Sequence, residues 1–207
     1  MSYTEDQLVQ KTTADYLQDQ LGWESVFAFN EETYGADGTL GREDQTEVIL
    51  TRYLRDALKR LNPEAGSTLI DLAINEIVRY DPAKTLVHQN QEMYQLFTEG
   101  VKVELKHEDG DMDRVTLKIF DFDNPENNHF LAVREMWVQG SLYRRRPDII
   151  GFVNGIPLLF VELKNVHKDI KTAYTHNFSD YKDTIPHIFT HNAIVMLSNG
   201  DVGRVGT

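Results

Sequence analysis

Residues 149–163 form two apolar runs separated by Asn154-Gly155. An Asn-Gly step between hydrophobic runs is the strongest short hairpin signal, because both residues tolerate a positive φ angle. The second run contains four consecutive apolar residues, which is typical of a central strand covered on both faces. Charged residues lie at the open end of this hairpin: Asp148 precedes it, and Glu162 and Lys164 end it. Because burying charge is costly unless it is paired, this pattern indicates a site for a divalent metal and a charged substrate.

The spacing of these charged residues suits phosphodiester chemistry. Glu162 and Lys164 are two residues apart on a strand, so both project from the same face, and Asp148 approaches from the partner strand. Two carboxylates with nearby backbone carbonyls suit Mg²⁺, which keeps several waters and binds phosphates. Such a metal activates water, and Lys164 could orient the attacking hydroxide or stabilise the pentacovalent phosphate. The alternative interpretation is a strand end that carries a surface ion pair.

The register of the hairpin decides whether the two carboxylates can meet. With a regular two-residue turn at Asn154-Gly155, Asp148 would face Val161, and Glu162 would lie on the opposite side of the sheet. A shared metal site therefore requires an odd insertion, either a three-residue loop over 154–156 or a β-bulge near Asp148. We predict such a distortion.

The order Pro147-Asp148, hairpin, Glu162-x-Lys164 resembles the PD-(D/E)xK nuclease superfamily. The longer string RRPDIIGFVNGIPLLFVELKN, residues 145–165, is similar to the nuclease domain at the N-terminus of type I restriction enzyme R subunits. The resemblance implies Mg²⁺-dependent cleavage of double-stranded DNA inside a large complex, leaving a 5′ phosphate and a 3′ hydroxyl. It also implies that Asp148, Glu162 and the Leu163 carbonyl bind metal and that Lys164 assists catalysis.

Two further features of the resemblance concern neighbouring helices. Members often carry Gln-x-x-x-Tyr after the Glu-x-Lys strand, where this chain has Asn177 and Tyr181. The i,i+4 spacing keeps both on one helical face, although Asn is one methylene shorter than Gln, and a capping Asn with a half-buried Tyr is the alternative. Superfamily members also take an acidic residue from the helix before the first core strand. Glu92 is the candidate, Glu47 is the second choice, and ordinary solvated carboxylates are the alternative.

The net charge of −12 argues against strong autonomous DNA binding, because Lys and Arg dominate phosphate contacts. Positive residues nevertheless bracket the expected site and are the candidate DNA contacts, with a solvated basic turn as the alternative. They are Arg144, Arg145, Arg146, Lys168, Lys171 and Lys182. We expect weak DNA affinity from this chain alone.

At 207 residues the chain is long enough for one large domain or two small ones. The resemblance implies a single nuclease domain over residues 1–207, with a helical part over about 1–89 and a nuclease core over about 90–207. The chain has no cysteine, so disulfides and cysteine-based metal sites are excluded. No apolar run is long enough to span a membrane and the N-terminus is polar, so we expect a cytoplasmic protein. No phosphate-binding Gly-Lys-Ser/Thr loop is present, so ATP would be used only by a motor region that the resemblance places after residue 207.

The pattern of apolar residues predicts an α+β fold, with a restriction-endonuclease-like mixed sheet flanked by helices and extra N-terminal helices. The predicted helices are 4–20 with a capping box at Thr4, 43–61, 68–79, 90–99 capped by Asn90, and 169–182. The predicted strands are 101–105, 115–120 with a turn at Asp109-Gly110 before it, 130–138, the two hairpin strands, and 193–197.

The leading hypothesis is a DNA endonuclease domain whose partners are double-stranded DNA and the methyltransferase and specificity subunits of a restriction complex. One alternative is a noncatalytic docking domain of the same fold that links motor and methyltransferase subunits. A second alternative is a RecB-like exonuclease domain. His187 and His191 have i,i+4 spacing but lack a third ligand, so we predict ordinary histidines.

Overall fold

A computed structural model of the chain describes residues 5–106, 112–165, 167 and 170–207. The helices are α1 Glu5–Leu21, α2 Thr51–Leu61, α3 Ser67–Ile77, α4 Leu86–Glu99, α5 Ile170–Thr172 and α6 Ser179–Thr184. A π-helical segment, Ala173–Phe178, joins the last two, and 3-10 turns span Pro125–Asn127 and Pro186–Phe189. The predicted capping residue Thr4 and the predicted turn at Asp109-Gly110 lie outside the described residues.

The strands form one large sheet and two small ribbons. They are β1 Glu24–Phe27, β2 Val101–Lys106, β3 Met112–Leu117, β4 Phe130–Arg134, β5 Val138–Gln139, β6 Arg144–Arg145, β7 Ile149–Val153, β8 Ile156–Leu163, β9 Ile194–Ser198 and β10 Gly203–Gly206. The large sheet has six strands in the order β1-β4-β7-β8-β9-β10, while β2–β3 and β5–β6 pair separately. The pairs β1–β4 and β8–β9 are parallel and the others antiparallel. The predicted α+β fold, a restriction-endonuclease-like mixed sheet flanked by helices, is confirmed.

The strand β8 is covered on both faces, as its apolar sequence predicts. Val161 and Leu163 face α1, where they pack with Ala14 and Leu17. The alternate residue Phe160 belongs to the larger core on the other face, which also takes in apolar residues of α2, α3 and 185–189. The helical first half and the sheet therefore share one hydrophobic core.

The hairpin β7–β8 contains the predicted odd insertion. Asn154 and Gly155 form a two-residue turn, with φ angles of 51° and 80°. The register then shifts, because Phe152 pairs with Pro157 whereas Gly151 pairs with Leu159. Leu158 is thus the extra residue of a β-bulge. The predicted distortion is confirmed, and it lies within the second strand, not in the loop or beside Asp148.

The hairpin turn also fixes where α2 begins. The Leu50 N–H donates to the Gly155 carbonyl at 2.8 Å. A Cβ atom on Gly155 would lie 2.4 Å from the Leu50 carbonyl oxygen, so only glycine permits this approach. The predicted helix over 43–61 was therefore wrong before Thr51: this stretch is irregular, and its backbone bonds to a distant part of the chain.

The prediction that Asn90 caps a helix was wrong. The helix α4 begins one turn earlier, at Leu86, and the side chain of Thr85 accepts from the His88 N–H at 3.3 Å. Asn90 instead donates from its amide to the carbonyls of Phe189, Thr190 and Asn192. The side chain thus ties the middle of α4 to the segment before β9.

Three other predicted elements differ from the structure, and the first is the strand predicted over 115–120, which spans Met112–Leu117. The strand predicted over 130–138 ends at Arg134, because Glu135 adopts a positive φ of 52°. The helix predicted over 169–182 is interrupted by the π-helical segment. β1 and β10, at the two edges of the sheet, were not predicted. In the described part of the chain, no helix combines the length and apolar character needed to cross a membrane.

Candidate active site

The bulge at Leu158 brings the two predicted carboxylates level with each other. Ile149 pairs with Val161, so the next positions outward are Asp148 on one strand and Glu162 on the other. Side chains at opposed positions of an antiparallel pair share one face of the sheet. Glu162 is buried, with 2% of its surface exposed, and Asp148 is partly buried.

Each carboxylate is held by hydrogen bonds from a different set of elements. Asp148 accepts from the Leu163 N–H at 2.6 Å and from the Gln10 amide of α1 at 2.5 Å. Glu162 accepts on Oε1 from Lys164 Nζ at 2.8 Å and from the Asn177 amide at 2.5 Å. Its other oxygen, Oε2, is buried and has no close hydrogen-bond partner among the described residues, although the Tyr181 hydroxyl lies near enough to favour the ionised form of Glu162. The site therefore contains a fixed carboxylate oxygen available to a cation.

Burial dominates the electrostatics of the pair. Desolvation, together with the Glu162 charge, raises the pKa of Asp148 to about 7, against the lowering effect of the Leu163 N–H, Lys164 and Gln10. Desolvation also raises the pKa of Glu162, although the Lys164 ammonium and the Asn177 amide favour its ionised form. A single ammonium faces two carboxylates, so the ionised site has an excess of negative charge.

These residues fit a hard divalent cation. In residues 5–106, 112–165, 167 and 170–207, no group of three or more His, Cys, Asp or Glu residues could hold a metal. A cation here would thus have Asp148 and Glu162 as its charged ligands and would complete its shell with waters or backbone oxygens. Mg²⁺ is commonly bound in this way, by one or two carboxylates and several waters. Leu163 contributes its N–H to Asp148, and a role for its carbonyl stays a prediction.

Asn177 and Tyr181 approach the same carboxylate from the helical side. Asn177 lies in the π-helical segment, a form that occurs often at functional sites, and its amide reaches Glu162 despite its short side chain. Tyr181 is buried, and its ring lies 5.6 Å from that of Phe160, centroid to centroid. Burial and the nearby carboxylates raise the pKa of Tyr181, so its hydroxyl stays protonated.

The helical acid predicted from the superfamily pattern lies elsewhere. Glu92 accepts from Lys84 Nζ at 2.7 Å and lies 3.3 Å from the His88 ring, on α4. Glu47 belongs to the irregular segment before α2, where it accepts from the Glu43 N–H. The structure therefore does not bring either carboxylate into the hydrogen-bonded site around Asp148 and Glu162.

The residue that does reach Asp148 from a helix is Gln10. Because β1 pairs with β4 at the sheet edge, the helix before the first strand of the main sheet is α1, not α4. Sequence reasoning missed β1 and therefore searched the wrong helix. The capping box at the start of the chain predicted a helix there, but a neutral side chain does not satisfy a search for an acid.

The three arginines before Asp148 form ion pairs and aromatic contacts within the protein. Arg145 makes a two-pronged ion pair with Asp180, at 2.5 and 2.9 Å. Arg146 stacks over Phe29, 4.0 Å from the ring centroid, and contacts Glu135 at 3.2 Å. Arg144 is exposed and lies 4.4 Å over the Trp137 ring.

The predicted lysine contacts lie on the helical side of the site. Lys171 is exposed on α5, and Lys182 Nζ lies 4.9 Å over the Phe178 ring. Lys168 lies outside the described residues. Contact of any of these residues with DNA stays a prediction.

Comparison with known proteins gives a consistent result. Residues 2–207 match the family model described as type I restriction enzyme R protein N terminus. The chain is 33% identical over 203 residues to the type I restriction enzyme HindI endonuclease subunit of Haemophilus influenzae, covering 96% of this chain and 19% of that protein. It is 28% identical over 171 residues to the putative type I restriction enzyme MjaIXP endonuclease subunit of Methanocaldococcus jannaschii, covering 80% of this chain and 16% of that protein. The chain thus spans about a fifth or less of these relatives, and it belongs to the family of type I restriction enzyme R protein N-terminal regions.

Proposed function

We propose that this chain is the Mg²⁺-dependent DNA endonuclease domain of a type I restriction enzyme R subunit and hydrolyses DNA phosphodiesters. The observation that carries the proposal is the convergence of Asp148, Glu162 and Lys164 at the open end of one hairpin, where Glu162 Oε2 has no close partner among the residues that the structure describes. The names of the relatives as endonuclease subunits support the same reaction class.

The roles of the residues follow from their contacts. Asp148 and Glu162 would hold the metal, which when bound activates water and offsets charge on the phosphate. Lys164, fixed by Glu162, is positioned to orient the attacking hydroxide and to stabilise charge on the pentacovalent phosphorus. A water loses one proton to solvent, the resulting hydroxide attacks phosphorus, the bond to the 3′ oxygen breaks, and that oxygen takes a proton from solvent. Asn177 fixes the Glu162 carboxylate, and Tyr181 keeps a protonated hydroxyl beside it.

We also propose that residues 1–207 form one nuclease domain within a longer motor subunit. The core shared by α2, α3 and the sheet supports a single domain. The small share of the relatives that the chain covers supports a longer subunit. Such a subunit would act on double-stranded DNA in the cytoplasm with methyltransferase and specificity subunits, and ATP would be used outside these residues.

The test is cleavage of supercoiled plasmid by the complete enzyme carrying Lys164→Ala or Asp148→Ala. We expect each change to lower the cleavage rate by at least about a hundredfold, because transition-state stabilisation or metal binding is lost. ATP hydrolysis and subunit assembly should be unchanged. Lys102→Ala, at an exposed lysine on β2, is the matched control and should cut normally.

A noncatalytic docking role is the second candidate. The net charge of −12 and the engagement of Arg145 and Arg146 with protein carboxylates favour it. Persistent cleavage by the Lys164→Ala enzyme would contradict the nuclease proposal and favour docking. Failure of the unmodified enzyme to cut closed circular DNA would instead point to an exonuclease.

A further inference from the structure

A groove of about 490 Å³ lies between the π-helical segment and the strands β9 and β10. Val195 and Leu197 line its sheet side, Tyr174 and Phe178 line its helical side, and Lys171 and Arg204 contribute the cations. We call it the aromatic groove. Its volume is within the range of sites that hold small organic ligands.

The aromatic groove lies on the same side of the sheet as Glu162. Leu197 pairs with Glu162 across the parallel strands β8 and β9, so their side chains share a face and their backbones are about 4.8 Å apart. The π-helical segment that carries Tyr174 and Phe178 also carries Asn177, whose amide bonds to Glu162. The groove is therefore one strand away from the proposed metal ligands.

The charge of the aromatic groove is opposite to that of the whole chain. Among the described residues that line it, Lys171 and Arg204 are cationic and none is acidic. The groove beside α4 is a useful contrast, since four acidic residues line it. In a chain of net charge −12, a lining with cations alone points to an anionic occupant.

The aromatic lining points to a planar occupant. Tyr174 is 53% exposed, and its ring centroid lies 5.8 Å from that of Phe178. An exposed ring beside cationic groups is the arrangement on which proteins stack the bases of single strands. In an intact duplex both faces of each base are covered by neighbouring bases, so an unpaired base is required.

We propose that the aromatic groove holds an unpaired nucleotide of the DNA strand next to the scissile phosphate. Its base stacks on Tyr174, and its phosphate contacts Lys171 and Arg204. The proposal rests on the nuclease function for the identity of its substrate. It adds that the cleaved strand is locally separated from its complement when it occupies the site.

The test uses the complete enzyme carrying Lys164→Ala, so that DNA is bound without being cut. The probe is single-stranded oligo(dT) containing one 4-thiothymidine, with the matching duplex as comparison. Irradiation should cross-link the single strand to the peptide containing Tyr174 or to the one containing Arg204. Tyr174→Ala or Arg204→Glu should lower this yield about tenfold, since stacking on one aromatic side chain contributes that order of affinity. Tyr174→Phe keeps the ring and should retain the cross-link.

Tyr94→Ala is the matched control, because Tyr94 is 65% exposed on α4 and does not line the groove. Equal cross-linking in Tyr174→Ala and Tyr94→Ala, or equal yields from duplex and single strand, would overturn the proposal. Stronger protection of residues 170–178 from hydrogen exchange in the complete enzyme without DNA than in the isolated chain would also overturn it, because protein would then fill the groove. Cross-linking does not depend on cutting, so these results separate the groove from the nuclease function itself.

Discussion

The two oxygens of Glu162 have unequal surroundings. Oε1 accepts from Lys164 and Asn177, whereas Oε2 is buried without a close partner among the described residues. An unsatisfied buried carboxylate oxygen is costly, and native structures keep such atoms mainly where a ligand or reaction uses them. The cost at Glu162 therefore supports a cation-binding role.

Replacing Asp148 by Asn should stabilise the metal-free chain. The raised pKa of Asp148 means that its contribution to stability decreases as pH rises between 3.8 and about 7, so at about pH 8 the buried charge is unfavourable. We expect Asp148→Asn to raise the free energy of unfolding by about 2 kcal/mol in the presence of a chelator. Urea denaturation measures this, and Asp15→Asn, at an exposed acid of α1, is the control.

The same pair of variants reports on metal binding. Mg²⁺ should raise the Tm of the unmodified chain and of Asp15→Asn but leave that of Asp148→Asn unchanged, because a ligand stabilises only a folded state that binds it. An equal rise in all three proteins would contradict the assignment of Asp148 as a ligand.

Gln10 should affect metal affinity through Asp148. Its amide fixes Asp148, and loss of such a supporting hydrogen bond typically weakens metal binding tenfold or more. We expect Gln10→Ala to raise the Mg²⁺ concentration for half-maximal cleavage about tenfold, with little change in the rate at saturating metal. A lower saturating rate with unchanged Mg²⁺ dependence would show that Gln10 acts otherwise.

At the scale of elements, the hairpin β7–β8 determines the site through its residue count. The two-residue turn alone would separate the carboxylates, and the single extra residue Leu158 restores them to one face. The turn is itself strongly specified. Asn154 is fully buried at φ 51°, accepts from the His129 N–H, and donates to the Ile119 carbonyl, each at 2.8 Å.

Two substitutions separate the contributions of Asn154. Asn154→Gly keeps the positive φ but loses the side-chain hydrogen bonds, and we expect it to cost about 3 kcal/mol of stability. Asn154→Ala loses the same hydrogen bonds and also places a Cβ-bearing residue at a positive φ. It should cost about 1 kcal/mol more, since an alanine in this conformation is strained. Equal losses in urea denaturation would show that backbone conformation contributes nothing at this turn.

The same hairpin shows what the sequence can predict. Its turn follows from the Asn154-Gly155 step and its ends from the flanking charged residues, while the odd insertion follows from side-chain alternation together with the expectation of a shared metal site. The position of the bulge could not be predicted, because Leu158 is one apolar residue among many. The π-helical segment depends on a backbone hydrogen-bond shift that apolar periodicity does not record.

Contacts between distant segments account for the other errors. The irregular stretch before Thr51 has helical spacing of apolar residues, but its Leu50 N–H bonds to Gly155. The strand β10 is short and exposed and carries no alternation of apolar residues. Gln10 was not predicted as a site residue, because its helix α1 precedes the first strand of the main sheet only when β1 is recognised as a strand.

At the scale of the whole molecule, His191 links two layers of the fold. Its buried ring bonds through Nε2 to the Ile77 carbonyl at the end of α3, at 2.8 Å. Burial lowers the pKa of His191 to about 4, so the ring is neutral in the folded protein and Nε2 carries the donated proton. Protonation of this residue accordingly opposes folding.

His191 should therefore make the folded protein sensitive to mild acid. The pKa of His191 is lower in the folded than in the unfolded state. Its contribution to the free energy of unfolding is therefore complete above pH 6.5 and declines as pH falls towards about 4. Between about pH 7.5 and pH 5, we expect the unmodified chain to lose about 2 kcal/mol more stability than His191→Gln. Urea denaturation at both pH values measures the difference, and parallel losses would exclude His191 as the cause.

The contact between Gly155 and Leu50 has a consequence for how this polypeptide can be divided. The end of the hairpin far from Asp148 is closed by the backbone just before α2, through an approach that leaves no room for a Cβ atom. A truncated chain starting near residue 90 would expose that turn and remove apolar cover from both faces of β8. The smallest unit that folds by itself should accordingly retain the amino-terminal helices.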